Sequence, residues 1–326
     1  MKQAQIAAVM LRYRVASLLL PFFLMAPAFH DRLREFRWQY LAAILALGAS
    51  YVVATCLNDI FDLDVDRINH PGARDRPLVT GEATQRQMVA VAIAVALIAV
   101  LAGSVVGVAG TILITVSLLL NVAYSVPPVR LCSRPLAAPL VLAFAYVVLP
   151  YGLGMVAAGL TPGSMDARVM GCFVVLFIGR MLLKDFRDRA GDAAFGKRTF
   201  LLTYGKPATL GLVLSCVLAG DALLLTVVPR NTVLLLVVEG YFAGVLFQLY
   251  RLWRASERAA EQMAIALGAR MGNAVVLTLL GSLLMSASGA APVEVAVFVL
   301  ALAGLFWFGF VYTSLRPQEA LAAYRG

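Results

Sequence analysis

Between Arg86 and Arg130 the chain carries no charged side chain. A bilayer crossing takes about 20 predominantly apolar residues, so this run suffices for two, turning where Gly103, Gly107 and Gly110 cluster. Backbone groups in hydrocarbon must pair internally, and uninterrupted apolar runs of this length pair as helices. Similar runs predict spans at residues 16–29, 40–58, 136–160, 168–184, 271–288 and 293–314, with one more on each side of Pro229-Arg230-Asn231. The expectation is a polytopic membrane bundle of nine to ten transmembrane helices, all-α, in one domain over residues 1–326.

Composition agrees. Of 326 residues, 61% are hydrophobic and 14% charged, with a mean hydropathy of +0.86. Soluble domains are nearer half apolar and a quarter charged, which excludes an ordinary globular enzyme and a disordered chain. The excess of 27 Lys+Arg over 18 Asp+Glu reads as cationic loops beside an anionic leaflet or substrate, with no nucleic acid partner. Cys56, Cys172 and Cys216 lie within apolar runs and Cys132 in a loop, and no CxxC or Cys/His cluster suggests zinc or a disulfide framework. The basic, then apolar N-terminus resembles a signal peptide, but no clean A-x-A-like site follows, so it is taken as the first span.

With the N-terminus placed inside, 21 of the Lys and Arg residues fall on inner segments. Five fall outside (Arg32, Arg34, Arg37, Arg168 and Arg230), and Arg180 lies within a span. This bias predicts cytoplasmic termini at both ends. The three arginines of the first outer loop are the one local dissent.

Two inner segments carry the same acidic spacing. Asp59, Asp62 and Asp66 follow one another at three and four residues, and so do Asp185, Asp188 and Asp192. On a helix these positions share a face. Like charges so placed repel, and a hard divalent cation resolves the conflict: Mg²⁺ takes oxygen ligands and joins one or two carboxylates to substrate phosphates. Arg67, Arg74, Arg76, Arg130, Lys184, Arg187, Lys197 and Arg198 belong to the same inner loops and suit an anionic diphosphate.

At this level of detail the chain resembles the UbiA superfamily of intramembrane prenyltransferases. The likeness rests on four motifs in order. They are Asn58-Asp59-x-x-Asp62-x-x-x-Asp66-Arg67; Asp75-Arg76-Pro77-Leu78-x-x-Gly81; Tyr124-Ser125-x-Pro127-x-x-Arg130-Leu131; and Asp185-x-x-Asp188-x-x-x-Asp192 with Gly196-Lys197-x-Thr199. It covers residues 10–288, leaving 293–314 as an additional helix.

The resemblance implies a bundle around a central cavity, capped on the cytoplasmic side by the motif loops. It implies Mg²⁺-dependent loss of pyrophosphate from an isoprenyl diphosphate and attack on the allylic cation by a small acceptor, often an aromatic or quinone precursor. By this correspondence Asn58, Asp59, Asp62, Asp66, Asp185, Asp188 and Asp192 hold metal. Asn58, Arg67, Arg76, Arg130, Lys184 and Lys197 bind substrate, and Asp66, Tyr124 and Asp192 are the catalytic residues. One departure is Cys132, where the family usually has Lys after Arg-Leu.

Several features remain open at this stage. A cyclase of the same superfamily would ionise the diphosphate without an acceptor. A transporter is disfavoured because the repeated motif sits at helix ends in parallel orientation. The pattern of the membrane alcohol phosphotransferases is not found around the triplets. Phe22, Phe23, Tyr51, Phe61, Tyr146, Tyr151, Phe173 and Phe177 are candidates to face a cation, or plain packing. Arg12, Arg14 or Arg180 would suit a carboxylated acceptor. Arg180 otherwise snorkels to the interface, while Asp221 and Glu239 are expected at similar depth near a shared outer turn.

Overall fold

A computed structural model of the chain describes residues 1–228 and 231–316, without the side chain of Arg14. The expected turn at Pro229-Arg230 and the C-terminus beyond Arg316 lie outside the described residues. The architecture is an all-helical membrane bundle. Its helices are α1 (Gln3–Met10), α2 (Leu19–Phe29), α3 (Trp38–Phe61), α4 (Leu63–Asn69), α5 (Gln85–Val106), α6 (Val108–Ser125), α7 (Ala137–Ala158), α8 (Ser164–Ala194), α9 (Phe200–Leu224), α10 (Thr232–Arg254), α11 (Arg258–Ala287) and α12 (Pro292–Leu315).

Among the described residues, eight of these are long and apolar enough to cross a membrane: α3, α5, α6, α7, α9, α10, α11 and α12. Two elements expected as spans differ in kind. α2 has 11 residues, and α8 has 31 but carries Asp166, Arg168 and Arg180 along its apolar stretch. The turn inside the uncharged run falls at Gly107, whose φ of +113° suits glycine, and Gly110 lets α6 close tightly on the carbonyl of Gly103.

Two helix bounds are corrected, and two local departures are found. α8 continues past Lys184 to Ala194, so the second acidic triplet sits on unbroken helix, where neighbouring cations offset its repulsion. At the first triplet α3 stops at Phe61, Asp62 (φ −107°, ψ 13°) forms a kink, and α4 restarts at Leu63, yet helical hydrogen bonds from Asp62 N–H to the Asn58 carbonyl and from Asp66 N–H to the Asp62 carbonyl (2.8 Å each) run through it, and all three carboxylates are buried. α11 begins at Arg258 rather than near 271, because buried Glu261 accepts from Lys206 (2.8 Å) and bridges Arg189 (3.4 Å), anchoring its charged first turns. α7 contains a π-helical stretch, Phe144–Val148, where Pro150 supplies no N–H to the carbonyl of Tyr146.

Small side chains set the packing. Ala43 and Ala46 of α3 and Ala99 and Ala102 of α5 are buried in one cluster, allowing close helix approach where lipid gives no hydrophobic drive. A larger core joins α2, α7, α8, α9, α10, α11 and α12 around Phe173, Tyr241 and Met271. The dissenting arginine loop also has an account: Arg37 donates to the carbonyl of Ala157 (3.3 Å), a cation on the last turn of α7.

Candidate active site

All four motifs converge at one end of the bundle. Asp62 is the junction. It accepts from Asn58 Nδ2 (3.0 Å), from Arg130 after α6 (2.7 Å) and from Lys197 after α8 (2.7 Å). Lys197 also reaches Asp192 at 3.4 Å, so one ammonium links both acidic triplets. Arg76 bridges Asp59 (3.1 Å) and Asp66, and Arg12 closes on the other oxygen of Asp59 (2.6 Å). On the second triplet Asp188 is met by Arg187 (2.9 Å), His70 (3.3 Å) and Lys184 (3.9 Å).

Gly191 makes this convergence possible. A Cβ there would stand 2.6 Å from the carbonyl oxygen of Val65, and its own N–H donates to Asn69 Oδ1 at 2.7 Å. The glycine between Asp188 and Asp192 thus lets α4 lie directly on α8.

Charge is unevenly neutralised. Burial alone would raise the Asp62 carboxyl, yet Lys197 and Arg130 hold it below the usual carboxylate range. Burial pushes Asp66 up to about 7, since the pull of Arg76 is outweighed by desolvation and by neighbouring Asp59 and Asp62. Burial lowers Lys197, but Asp62 and Asp192 reverse it. Asp66 is thus raised by burial although Arg76 pairs with it.

A polar cavity of about 50 Å³ lies between the motifs. Of the sequence-predicted residues, Asn58, Asp62, Asp66, Arg76, Tyr124, Lys184, Asp185, Asp188, Asp192 and Lys197 line it. Asp59 and Arg130 stand behind it through their ion pairs. Arg67 is not brought in: it is exposed and donates to Asp64 at 2.8 Å. Cys132 lines the cavity where the family usually has Lys.

The clear omission of sequence reasoning is Arg12 as a partner of the first motif. It follows from a left-handed turn (φ +41°) between α1 and the helical turn Tyr13–Ala16, and Arg130 has the same rare conformation (φ +37°). Two strained arginines therefore grip Asp59 and Asp62. No sequence signal marks a left-handed arginine.

The aromatic candidates divide. Tyr146 stacks on Phe177 (5.1 Å between centroids) and meets Tyr51 edge-on (6.3 Å), while Phe22 contacts both Phe177 and Phe173. The π-helical stretch carries Tyr146 in this row. Phe23 packs on Tyr40, Tyr151 bonds Asp166 at the opposite end, and Phe61 is exposed. Arg180 turns into the bundle and donates to Asn273 at 2.6 Å. Asp221 and Glu239 lie away from the motifs, each with a buried oxygen lacking a hydrogen-bond partner among the described residues.

Residues 17–273 match the UbiA prenyltransferase family, and the chain belongs to that family. It is accordingly a prenyltransferase and an integral membrane protein. It is 33% identical to homogentisate phytyltransferase of Synechocystis over 224 residues, 65% of this chain and 69% of that one. Digeranylgeranylglyceryl phosphate synthase of Methanothermobacter thermautotrophicus is 27% identical over 66% of this chain and 69% of its own length. The fold is similar to that of a UbiA homologue from Archaeoglobus fulgidus bound to GPP and Mg²⁺, with a TM-score of 0.56, 16% identity, and coverage of 95% of this chain and 99% of that one. A solved digeranylgeranylglyceryl phosphate synthase superimposes with a TM-score of 0.65 at 16% identity, covering 86% of this chain and 98% of the other.

Proposed function

We propose that the protein transfers an isoprenyl group from an allylic prenyl diphosphate to a small acceptor, an aromatic compound or quinone precursor, within the bilayer. The observation that carries this reading is the polar cavity between two acidic triplets, tied together by Lys197 and Arg130 on Asp62. A ligand that bridges both triplets must bring its own compensation for their charge, as a metal-bound diphosphate does.

The donor set suits a hard divalent cation. Carboxylate oxygens of Asp62, Asp66, Asp185, Asp188 and Asp192 dominate the cavity lining. Asn58, Asp59, Asp62, Asp66, Asp185, Asp188 and Asp192 would hold Mg²⁺, which when bound neutralises the diphosphate and makes it a better leaving group.

The chain's own residues do the remainder. Arg76, Arg130, Lys184 and Lys197 bind the diphosphate, while Asp66, Tyr124 and Asp192 line the space in which the C1–O bond breaks. The aromatic faces of Tyr146 and Phe177 stand beside the developing allylic cation. The surrounding apolar helices exclude water, which would otherwise capture it. An acceptor carbon attacks C1 and then loses a proton, and pyrophosphate is released. The motif end faces the cytoplasm, as the positive-inside bias requires.

The test is product analysis by mass, with geranyl, farnesyl or geranylgeranyl diphosphate and Mg²⁺. Pyrophosphate release that rises with an added aromatic supports transfer. A cyclic hydrocarbon or terpene alcohol formed efficiently without acceptor supports the cyclase instead, and a chelator should silence either.

A further inference from the structure

The last turns of α8 carry a conflict that their ion pairs do not settle. Asp185, Asp188 and Asp192 repel one another there. Lys184 and Lys197, which offset them, are cations that a bound diphosphate draws on itself. Two hydrogen bonds hold the same segment without touching a carboxylate. Asn69, the last residue of α4, accepts from the N–H of Gly191 at 2.7 Å. Arg258, the first residue of α11, donates to the carbonyl of Arg187 at 3.1 Å. In an α-helix residues 187 and 191 are the acceptor and donor of one i→i−4 pair. Both ends of a single turn are therefore held from outside, by two different helices, and that turn contains Asp188 and leads directly into Asp192.

Each hold starts from an anchored base. Asn69 follows Asp66 by three residues on α4, and both line the polar cavity. Its bond to Gly191 thus ties the helix bearing Asp66 to the helix bearing the second triplet. Only glycine admits the approach, since a Cβ at 191 would stand 2.7 Å from Asn69 Nδ2. On the other side, the first turns of α11 are pinned by buried Glu261, which pairs with Lys206 at 2.8 Å and Arg189 at 3.4 Å. Both bonds engage backbone groups of α8 alone, so neither occupies an oxygen of Asp188 or Asp192. A ligand shared between two carboxylate sets needs their separation fixed to about 0.5 Å.

We propose that Asn69 and Arg258 are positioning residues for the diphosphate site. Together they fix the turn bearing Asp188, and with it Asp192, at the distance from Asp62 and Asp66 that a metal-bound diphosphate requires. This rests on the reading of the motif cavity given above, and binding measured without turnover separates the two.

The experiment uses the full-length protein in detergent micelles with Mg²⁺, titrated calorimetrically with geranyl S-thiolodiphosphate, whose C–S bond resists ionisation. Asn69→Leu, which keeps the bulk and removes the acceptor, should weaken binding roughly 10–100-fold, as loss of an outer support of a metal site does. Arg258→Met should weaken it about 3–10-fold, and Arg258→Lys, which keeps a donor, should stay within about twofold of wild type. The Mg²⁺ concentration for half-maximal binding should rise in Asn69→Leu and Arg258→Met. Asp166→Ala, at the opposite end of the bundle, serves as the control for lost stability: its melting point should fall and its affinity should not. Wild-type affinity in Asn69→Leu, an Arg258→Lys no better than Arg258→Met, or an equal loss of affinity in Asp166→Ala would each overturn the proposal. Should Asn69→Leu fail to fold, the two Arg258 variants decide it, because Arg258 is exposed. A wild-type protein that does not bind the analogue would defeat the motif-cavity reading itself, and the positioning role with it.

Discussion

Both ends of the bundle bury a polar cluster around an aspartate, and the two are built to opposite purposes. At the end away from the motifs, Asp166 is 1% exposed and fully employed. Tyr151 donates to it at 2.7 Å, His30 lies at 2.9 Å, and the N–H of Gly163 caps its other oxygen at 2.7 Å. One carboxylate meets three partners, from the residue after α2, from α7 and from the turn before α8, which is a staple. At the motif end, six aspartates share six cations (Arg12, Arg76, Arg130, Lys184, Arg187 and Lys197) around an open cavity, and burial keeps Asp66 raised to about 7. A satisfied buried network without a cavity rigidifies, whereas one that lines a cavity can exchange its protein cations for those of a ligand. Burial of acid therefore does not mark the site; buried acid facing an open cavity does.

The largest effects should come from removing acid at the motif end. Asp62→Ala and Asp188→Ala should each lower turnover on the order of 10²–10³-fold while leaving the protein folded in detergent, as product analysis and thermal melting would show. Wild-type turnover in either variant would remove the two-sided site. Arg12→Ala should cost less, on the order of tenfold in kcat/KM for the prenyl diphosphate, because Arg12 supports Asp59 from behind rather than lining the cavity.

The staple should give the inverse result. Asp166→Ala leaves the Tyr151 hydroxyl and the Gly163 N–H unpaired and should destabilise the protein by about 1–3 kcal/mol. Turnover below the melting range should be unchanged. A loss of turnover without a lower melting point would show that the two ends are coupled, and the contrast between them would fail.

The sequence made the motif end legible because the acidic spacing is periodic and the cations are adjacent in the chain. It also carried one unused signal: Pro150, within an apolar run, foretells a disturbed helix at Tyr146. Other features were hidden for physical reasons. The kink at Asp62 has no glycine or proline to announce it, and its ion partners Lys197 and Arg130 are remote in sequence. Arg12 reaches Asp59 through a backbone conformation that its residue type rarely adopts. Asp166 carries no signal of its role in the sequence, since its partners are His30, just after α2, and Tyr151 of α7.

The smallest expected effect concerns Arg67, which the motif groups with the substrate-binding cations. α4 places Asp66 inward, and the next residue is rotated by about 100° around a helix with 3.6 residues per turn. Arg67 accordingly points outward, with its side chain 58% exposed, and pairs with Asp64, itself 64% exposed. Such surface pairs contribute about 0–1 kcal/mol and are screened by salt. Arg67→Ala should therefore change kcat/KM for the prenyl diphosphate less than about twofold and barely move the melting point. Arg76→Ala, measured beside it, should lose far more, because Arg76 lines the cavity and bridges Asp59 to Asp66. If Arg67→Ala instead weakened diphosphate binding as strongly as Arg76→Ala, α4 would have to rotate when substrate arrives, and the motif end would be a closing device rather than a preformed cradle.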